Sequence, residues 1–350
     1  MSGNSFGVLF RITTWGESHG KGVGVIVDGC PPRIPMNESV IQEMLDRRRP
    51  GVSSASTKRK EPDRAMISSG VFDGLTTGTP IMISIANQDA DSSAYLPYAD
   101  VYRPGHGDIT YQAKYGLRDW RGGGRASARE TVGRVAAGAV AKAVLARSGI
   151  RVLAYTTELG GIQVPVSDLE VVNQNPYGCA DMEVVAKLEE RVLAVRKEGD
   201  TIGGVVEIRA EGVPPGLGEP VFDKLDADLA KALMSIGAVK GIEIGAGFQA
   251  AGLLGSRNND TILPDGFGSN NAGGILAGIS SGDTIIARVA VKPIPSISRE
   301  QWTIDSSGSP RRISIKGRHD ISAIPRINVV CEAMVALVLA DHLLRQEAIS

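Results

Sequence analysis

The sequence predicts a layered domain of interleaved strands and helices, of α/β or α+β class. Three observations carry this. Short apolar runs of strand length alternate with longer stretches whose apolar residues recur at helical spacing. No low-complexity linker divides the 350 residues, a length that suits one large domain or two tightly fused ones. Glycine is frequent, at 43 residues, about 12% against a usual ~7%. Runs such as Gly122-Gly-Gly124 and Gly273-Gly274 let backbone approach a ligand or take positive φ, and they also serve plain tight turns.

Residues 22–29 read as a strand. Asn37 can cap a helix running to about Arg48, with Ile41, Met44 and Leu45 on one face. The stretch from Pro50 to Pro62 is polar, Ser-rich and basic, and reads as an exposed, mobile loop. A strand follows at 80–86. Ser127-Ala-Arg-Glu130 has the form of a capping box. It opens a helix with Val132, Val135, Ala136, Ala139, Val140 and Val144 at helical spacing, ending near Gly149. Further strands are expected at 151–157, 202–209, 241–250 and 284–292. Helices are expected at about 181–198 behind Asp181, 223–236 behind Asp223, and 325–346 with Pro325 in the first turn.

One internal echo stands out. Gly70-Val-Phe-Asp-Gly-Leu-Thr-Thr-Gly78 and Gly274-Ile-Leu-Ala-Gly-Ile-Ser-Ser-Gly282 share their three glycines and precede β-like runs. A duplicated sheet-plus-turn unit would produce this, and so would two Gly-rich turns matching by chance.

A net charge of −1 gives no global attraction to polyanions. Locally, seven basic residues between Arg103 and Arg134 face three acids. A neutral chain with a basic cleft suits a small anionic ligand better than nucleic acid. The three cysteines are far apart and form no CxxC or His/Cys cluster, so neither a metal site nor a disulfide framework is expected. Reduced thiols point to the cytoplasm. No signal pattern opens the chain and no membrane span is expected.

The four histidines are informative. His19, His106 and His319 sit in short strings with Gly, Arg or Asp, whereas His342 lies in an apolar run. Histidine exchanges protons near neutral pH, so three such loops suggest one assembled site. Gly16-Glu-Ser-His-Gly20 formally matches a nucleophile elbow around Ser18. A strand before and a helix after would be needed, yet a strand follows. The triple glycine ahead of a helix N-terminus, with Arg121, Arg125 and Arg129 around it, suits phosphate or carboxylate. Arg129 in a first helical turn opposes the dipole unless an anion is near. Of Arg47, Arg48 and Arg49, at most one or two can face a common site. Asp320 can act as a base or hold an Arg or His. Together these residues indicate an enzyme for a small, multiply anionic substrate. They do not identify a cofactor.

In order and spacing, three strings resemble the chorismate synthase family. They are Gly16-Glu-Ser-His-Gly20 with Val27-Asp-Gly-Cys-Pro31, Gly122 to Arg134, and Gly317-Arg-His-Asp320 with Glu332-Ala-Met334. The resemblance spans essentially the whole chain and implies a single domain over 1–350. It implies an α+β fold, a β-α-β sandwich of two antiparallel sheets around a helical layer, with an internal pseudo-two-fold. It implies the conversion of 5-enolpyruvylshikimate 3-phosphate to chorismate and phosphate by a 1,4-anti elimination that needs reduced FMN. By the same resemblance His19, His106 and Asp320 are catalytic. His19 would act as general acid, His106 would protonate or fix the charge of the reduced flavin, and Asp320 would help remove the ring proton. Arg125, Ala126, Ser127, Gly237, Ala238, Ala277, Lys292, Pro293, Ile294, Pro295, Ser296 and Arg318 match flavin-contacting positions. Arg48 matches an NADP or substrate-anion position, and Ser18 and Arg129 fall to the substrate.

The chain departs from the family pattern. Ala126, Gly237 and Ala277 stand where Ser, Asn and Gly are common, and Ser54 stands where a second Arg is common. Lys58 or Arg59 can replace its charge. The Ser54 departure puts an NADP site in doubt and leaves NADPH open as the flavin's reductant. Family members that reduce their own flavin are generally longer chains, so at 350 residues an external flavin reductase is expected. The implied assembly is a cytoplasmic homotetramer, with no nucleic-acid or membrane partner. Two rival classes are an NADPH-consuming flavin oxidoreductase and a non-catalytic phosphate or nucleic-acid binder.

Overall fold

A computed structural model describes residues 3–49, 54–56, 61–88, 93–315 and 319–349. Each half of the chain builds one five-stranded sheet. The first runs Ser5–Phe6, β1 (Arg11–Gly16), β2 (Gly22–Asp28), β3 (Ile81–Ala86), Met66–Ile67. The second involves β4 (Arg151–Leu159), β5 (Gly204–Glu211), β6 (Val239–Ile244) and β7 (Ile285–Val291), in the order β6-β7-β5-β4-Ile162–Gln163. Every neighbouring pair is antiparallel. Period-two burial explains the strands: Ile81, Ile83 and Ile85 face the core while Met82 and Ala86 face out.

Besides a single turn at Gly255–Asn258, the helices among the described residues are α1 (Glu38–Arg48), α2 (Asp108–Tyr115), α3 (Thr131–Ala146), α4 (Val185–Lys197), α5 (Leu225–Met234) and α6 (Ile324–Ile349). Helix α3 packs on the first sheet and on α6, and α6 packs on β4 and β5. Two glycines on α3 make this closeness possible. A Cβ on Gly133 would lie 2.7 Å from the Gly24 carbonyl oxygen, and one on Gly138 would lie 2.3 Å from Ala333 Cβ. Among the described residues, α6 is a helix long and apolar enough to cross a membrane. Yet 94% of its most apolar stretch is buried inside the protein. Apolarity all round a helix here means a central position in the core. Glu332, fully buried on it, takes a bidentate pair from Arg47 at 3.0 and 2.9 Å and a second cation from Lys142.

The glycine echo has a structural counterpart. Val71–Phe72 pairs with Leu75–Thr76, and Ile275–Leu276 pairs with Ile279–Ser280, in matching register. All six echoed glycines take positive φ. Buried Thr76 donates to Pro31 O at 2.7 Å and accepts from Ile34 N at 2.9 Å. Buried Ser280 donates to Pro214 O at 2.6 Å and accepts from Leu217 N at 2.8 Å. A long strand follows each hairpin, β3 in one half and β7 in the other. A crossover then leads from β3 to α3 and from β7 to α6.

Several local expectations need correction. The capping box does not close. Ser127 Oγ accepts from Arg129 N at 3.3 Å, while the Glu130 carboxylate is drawn to Thr14 and Arg134, both at 2.8 Å. A 3₁₀ turn over Ala128–Glu130 therefore precedes α3. Helix α4 starts four residues after Asp181, which instead accepts from Glu183 N at 2.8 Å. Helix α5 starts after Lys224, and Asp223 reaches Arg345 at 3.3 Å. The strand expected at 241–250 ends at Ile244, because Gly245 and Gly247 take positive φ and turn the chain. Much of the 50–62 loop, with Lys58 and Arg59, lies outside the described residues. Within it, Ala55 and Glu61 are buried rather than exposed. Ser54 Oγ bonds Tyr177 Oη at 2.8 Å and Glu189 at 2.6 Å.

Candidate active site

The two strand-to-helix crossovers, 87–130 and 292–323, converge on one cleft of about 1460 Å³. Lys292 at the head of the second crossover donates to Gly105 O in the first at 2.6 Å. Burial lowers the Lys292 ammonium below its ordinary pKa, and neighbouring Lys240 lowers it further.

One wall is an arginine pair bridged by one acid, with buried Glu61 3.7 Å from Arg129 Nη2 as a second, looser partner. Asp63, fully buried, receives Arg48 Nη2 at 2.8 Å and Arg129 Nη1 at 2.7 Å. Burial pushes the Asp63 carboxyl up, but the two guanidinium groups outweigh it and hold it below the usual range. Arg48 is lowered to about 10 by burial and by Arg326 nearby. Arg48 Nε and Arg129 Nη2 are buried with no hydrogen-bond acceptor among the described residues. Buried donors without hydrogen-bond acceptors are costly, and an anion at this wall would satisfy them. The triplet divides as geometry requires: Arg47 turns to Glu332, Arg48 to the cleft, and exposed Arg49 to Asp46 at 3.4 Å.

A second wall carries the histidine strings. His106 Nδ1 lies 3.0 Å from Asp108 Oδ1, and Arg103 Nε donates to Asp108 Oδ2 at 2.7 Å. Burial raises the Asp108 carboxyl, but Arg103 and His106 more than compensate and hold it far below the usual range. The triple glycine packs on the imidazoles. A Cβ on Gly122 would lie 2.2 Å from His19 Cε1, and one on Gly123 would lie 2.8 Å from His106 Cε1. Both glycines also take positive φ. Here the glycines seat histidine rings, a use the anion-cradle expectation did not foresee.

On the remaining side, Arg326 Nη1 meets Asp320 at 2.6 Å, and Arg326 Nε donates to Arg48 O at 3.1 Å. His319 also lines the cleft. Burial lowers its pKa, and Arg103 lowers it further. Arg125 donates to Thr14 Oγ1 at 2.8 Å and to Gly16 O at 3.2 Å.

The cleft thus gathers most of the expected residues: Arg48, His106, Arg125, Ala126, Ser127, Arg129, Gly237, Ala238, Lys292, Ile294, Pro295, Ser296 and Asp320. Others fall short of it. Ser18 is buried off the lining, and Pro293 is likewise absent from the wall. His19 sits behind Gly122 and edge-on to Tyr95, with ring centroids 5.4 Å apart, and those two residues form the wall there. Ala277 occupies the turn of the Ile275–Ser280 hairpin, away from the cleft. Arg318 lies outside the described residues. Arg121 points outward onto Asp119 at 2.9 Å. Cleft residues that sequence reasoning passed over are Glu61, Tyr95, Arg326, Lys231 and Lys240, with Asp63 buried behind Arg48 and Arg129. Asp63, the acid behind the wall, sits in a plain polar stretch, and Arg326 is one cation in a helical turn. Neither stretch carries a local signal.

The chorismate synthase family model matches residues 10–344. The chain belongs to the chorismate synthase family. A chorismate synthase from Desulfosudis oleivorans is 69% identical, over 100% of this chain and 99% of its own length. One from Desulfatibacillum aliphaticivorans is 65% identical over 99% and 97%. A crystal structure of chorismate synthase superposes with a TM-score of 0.79 at 34% identity, covering 97% of this chain and 93% of that one. The activity is that of a carbon–oxygen lyase. 5-Enolpyruvylshikimate 3-phosphate loses phosphate and a ring hydrogen to give chorismate, and the family implies a reduced flavin as cofactor.

Proposed function

We propose that the cleft between the crossovers holds substrate and reduced FMN together, and that the elimination is 1,4-anti. The observation that carries this is the convergence of the Arg48–Asp63–Arg129 wall, His106 and Asp320 with the Lys292–Ser296 segment around one cavity. The residues fit a flavin mononucleotide. Lys292, Lys240 and Arg125 supply cations for its phosphate. Ile236, Ala238, Ile294 and Ala126 supply apolar surface for a flat ring. A Cβ on Gly237 would meet nothing within 4 Å, so that wall is open. The chemistry supplied by reduced FMN when bound is transient electron donation with no net redox change.

The chain's own residues do the rest. Arg48 and Arg129 bind the substrate's phosphate and carboxylates through charge-assisted bonds. The cation-rich wall stabilises charge gathering on the departing phosphate. By the family resemblance His19 acts as general acid there, its ring standing just behind Gly122 and Tyr95 of the wall. His106 gives or holds a proton at the flavin. Asp320, oriented by Arg326, takes part in removing the ring proton.

Finer features of the assembly belong to the same reading. Helices α3 and α6 form the middle of a β-α-β sandwich whose halves are related by a pseudo-two-fold, a view supported by the matched Thr76 and Ser280 bonds. The chain works as a homotetramer. Phe222, Phe248, Leu254 and Ile262, each at least 75% exposed on the single chain, support burial between copies. An outside flavin reductase, not NADPH at this site, delivers the reduced cofactor, since Ser54 is tied to Tyr177 and Glu189 and offers no cation. Three buried free thiols support a cytoplasmic setting.

The test is anaerobic incubation with reduced FMN and 5-enolpyruvylshikimate 3-phosphate, following phosphate and chorismate. Equal product release is expected, with no NADPH needed. An equal rate with oxidised FMN would sink the reading.

A further inference from the structure

The segment Arg103-Pro-Gly-His-Gly-Asp108 closes on itself. Asp108 Oδ2 accepts from the Arg103 backbone N at 3.0 Å and from its Nε at 2.7 Å. Asp108 Oδ1 accepts from Arg103 Nη2 at 2.8 Å and sits 3.0 Å from His106 Nδ1. Arg103 Nη2 in turn lies 3.1 Å from the same Nδ1. Asp108 is 3% exposed and Arg103 6%, so water does not arbitrate.

Two tautomers of a neutral His106 could occupy this triangle. With the proton on Nε2, the Nδ1 lone pair would accept from Arg103 Nη2. It would then face the lone pairs of a carboxylate oxygen at 3.0 Å in a buried place, which is repulsive. With the proton on Nδ1, the ring donates to that oxygen, and Arg103 Nη2 keeps its own bond to it. The second arrangement satisfies both polar contacts of the acid and gives up only the longer contact of Arg103 Nη2 with Nδ1, at 3.1 Å. Arg103 matters here because it keeps the acid ionised and therefore an acceptor. The Nε2 edge borders Gly123, which carries no side chain to cover it (a Cβ there would lie 3.1 Å from Nε2), and His106 lines the cleft.

We infer that Asp108 is a positioning residue that fixes His106 as its Nδ1–H tautomer and leaves Nε2 as the ring atom open to the cleft. His106 then has a defined face for proton exchange, and Arg103 bars the acid from taking the proton itself. This deepens the proposed role of His106 and rests on it. Acids that orient metal-bound histidines typically matter by about 10–100-fold, and an effect of at least that order is expected for Asp108.

The first test uses the unaltered protein. With ¹⁵N-labelled histidine, ring-nitrogen spectra of the full-length chain should show His106 protonated on Nδ1 and bare on Nε2 at pH 8. Assignment comes from loss of that signal in His106→Gln. A wild-type ring protonated on Nε2 overturns the inference, whatever any variant does. The second test is Asp108→Asn, which should lower kcat at least about tenfold with KM for 5-enolpyruvylshikimate 3-phosphate within about threefold. It should also move the ring spectrum towards the other tautomer. An unchanged ring spectrum in folded Asp108→Asn overturns it too. Full activity in His106→Ala, with Nδ1–H still seen in the wild type, would remove the proposed role of His106 and leave the tautomer assignment standing.

Discussion

Gly122 lies against the His19 imidazole so closely that a Cβ would stand 2.2 Å from Cε1. Neither residue tolerates a change in the other. The backbone there also takes φ +64. Gly122→Ala should therefore displace the ring and lower chorismate formation at least about tenfold. Gly116→Ala isolates the conformational part, because Gly116 has φ +68 with nothing within 4 Å. That variant should lose roughly 1–2 kcal/mol of stability and keep its turnover. Equal losses of activity in the two would show that backbone strain, and not the ring contact, is what matters.

Asp63 holds Arg48 and Arg129 together from a fully buried position. Asp63→Asn leaves two buried guanidinium groups without their counter-charge and should cost about 3–5 kcal/mol. Urea unfolding at pH 7 measures this. The acid dependence has a defined sign. The folded pKa lies below the unbound 3.8, so the carboxylate's contribution is full above that value and is lost as pH falls through the lower folded one. Wild type should lose more stability than Asp63→Asn on acidification below pH 3.8. Parallel losses would place the acid sensitivity elsewhere.

Ala277 takes φ +51 at an exposed turn. A left-handed conformation costs a residue with a Cβ roughly 1–2 kcal/mol, and glycine gives back about 0.5–1 through unfolded-state entropy. Ala277→Gly should be stabilising, by about 0.5–1 kcal/mol on that balance, read as a rise in Tm. Its counterpart Asp73, at φ +49, needs no such relief, since short polar side chains tolerate this region. A drop in Tm for Ala277→Gly would contradict the strain.

Legibility in the sequence followed the range of each interaction. The α1 cap was readable because Asn37 acts three residues away, accepting from Val40 N at 3.2 Å. Strands β3 and β7 were readable because burial alternates along them. The capping box misled because Glu130 found Thr14, 116 residues distant, a stronger partner than its own helix end. Helix α2 went unnoticed because its start depends on Asp108 tying back to Arg103, and its apolar face is slight. The hairpin of Gln301–Ile304 and Pro310–Ile313 was missed for lack of a core-facing pattern. In the site, the residues beside glycine and histidine announced themselves. Asp63 and Arg326 did not, because their importance lies in what they touch across the fold.

The cleft is bounded by the same connection taken twice, once from β3 to α3 and once from β7 to α6. Arg129 and His106 arrive on one copy, Lys292 and Asp320 on the other. Neither half of the chain therefore carries a working pocket of its own. Each would present half a charge pattern to open solvent. A complete cleft can form only once both halves have folded and met, so substrate turnover reports on their docking and not on either half alone.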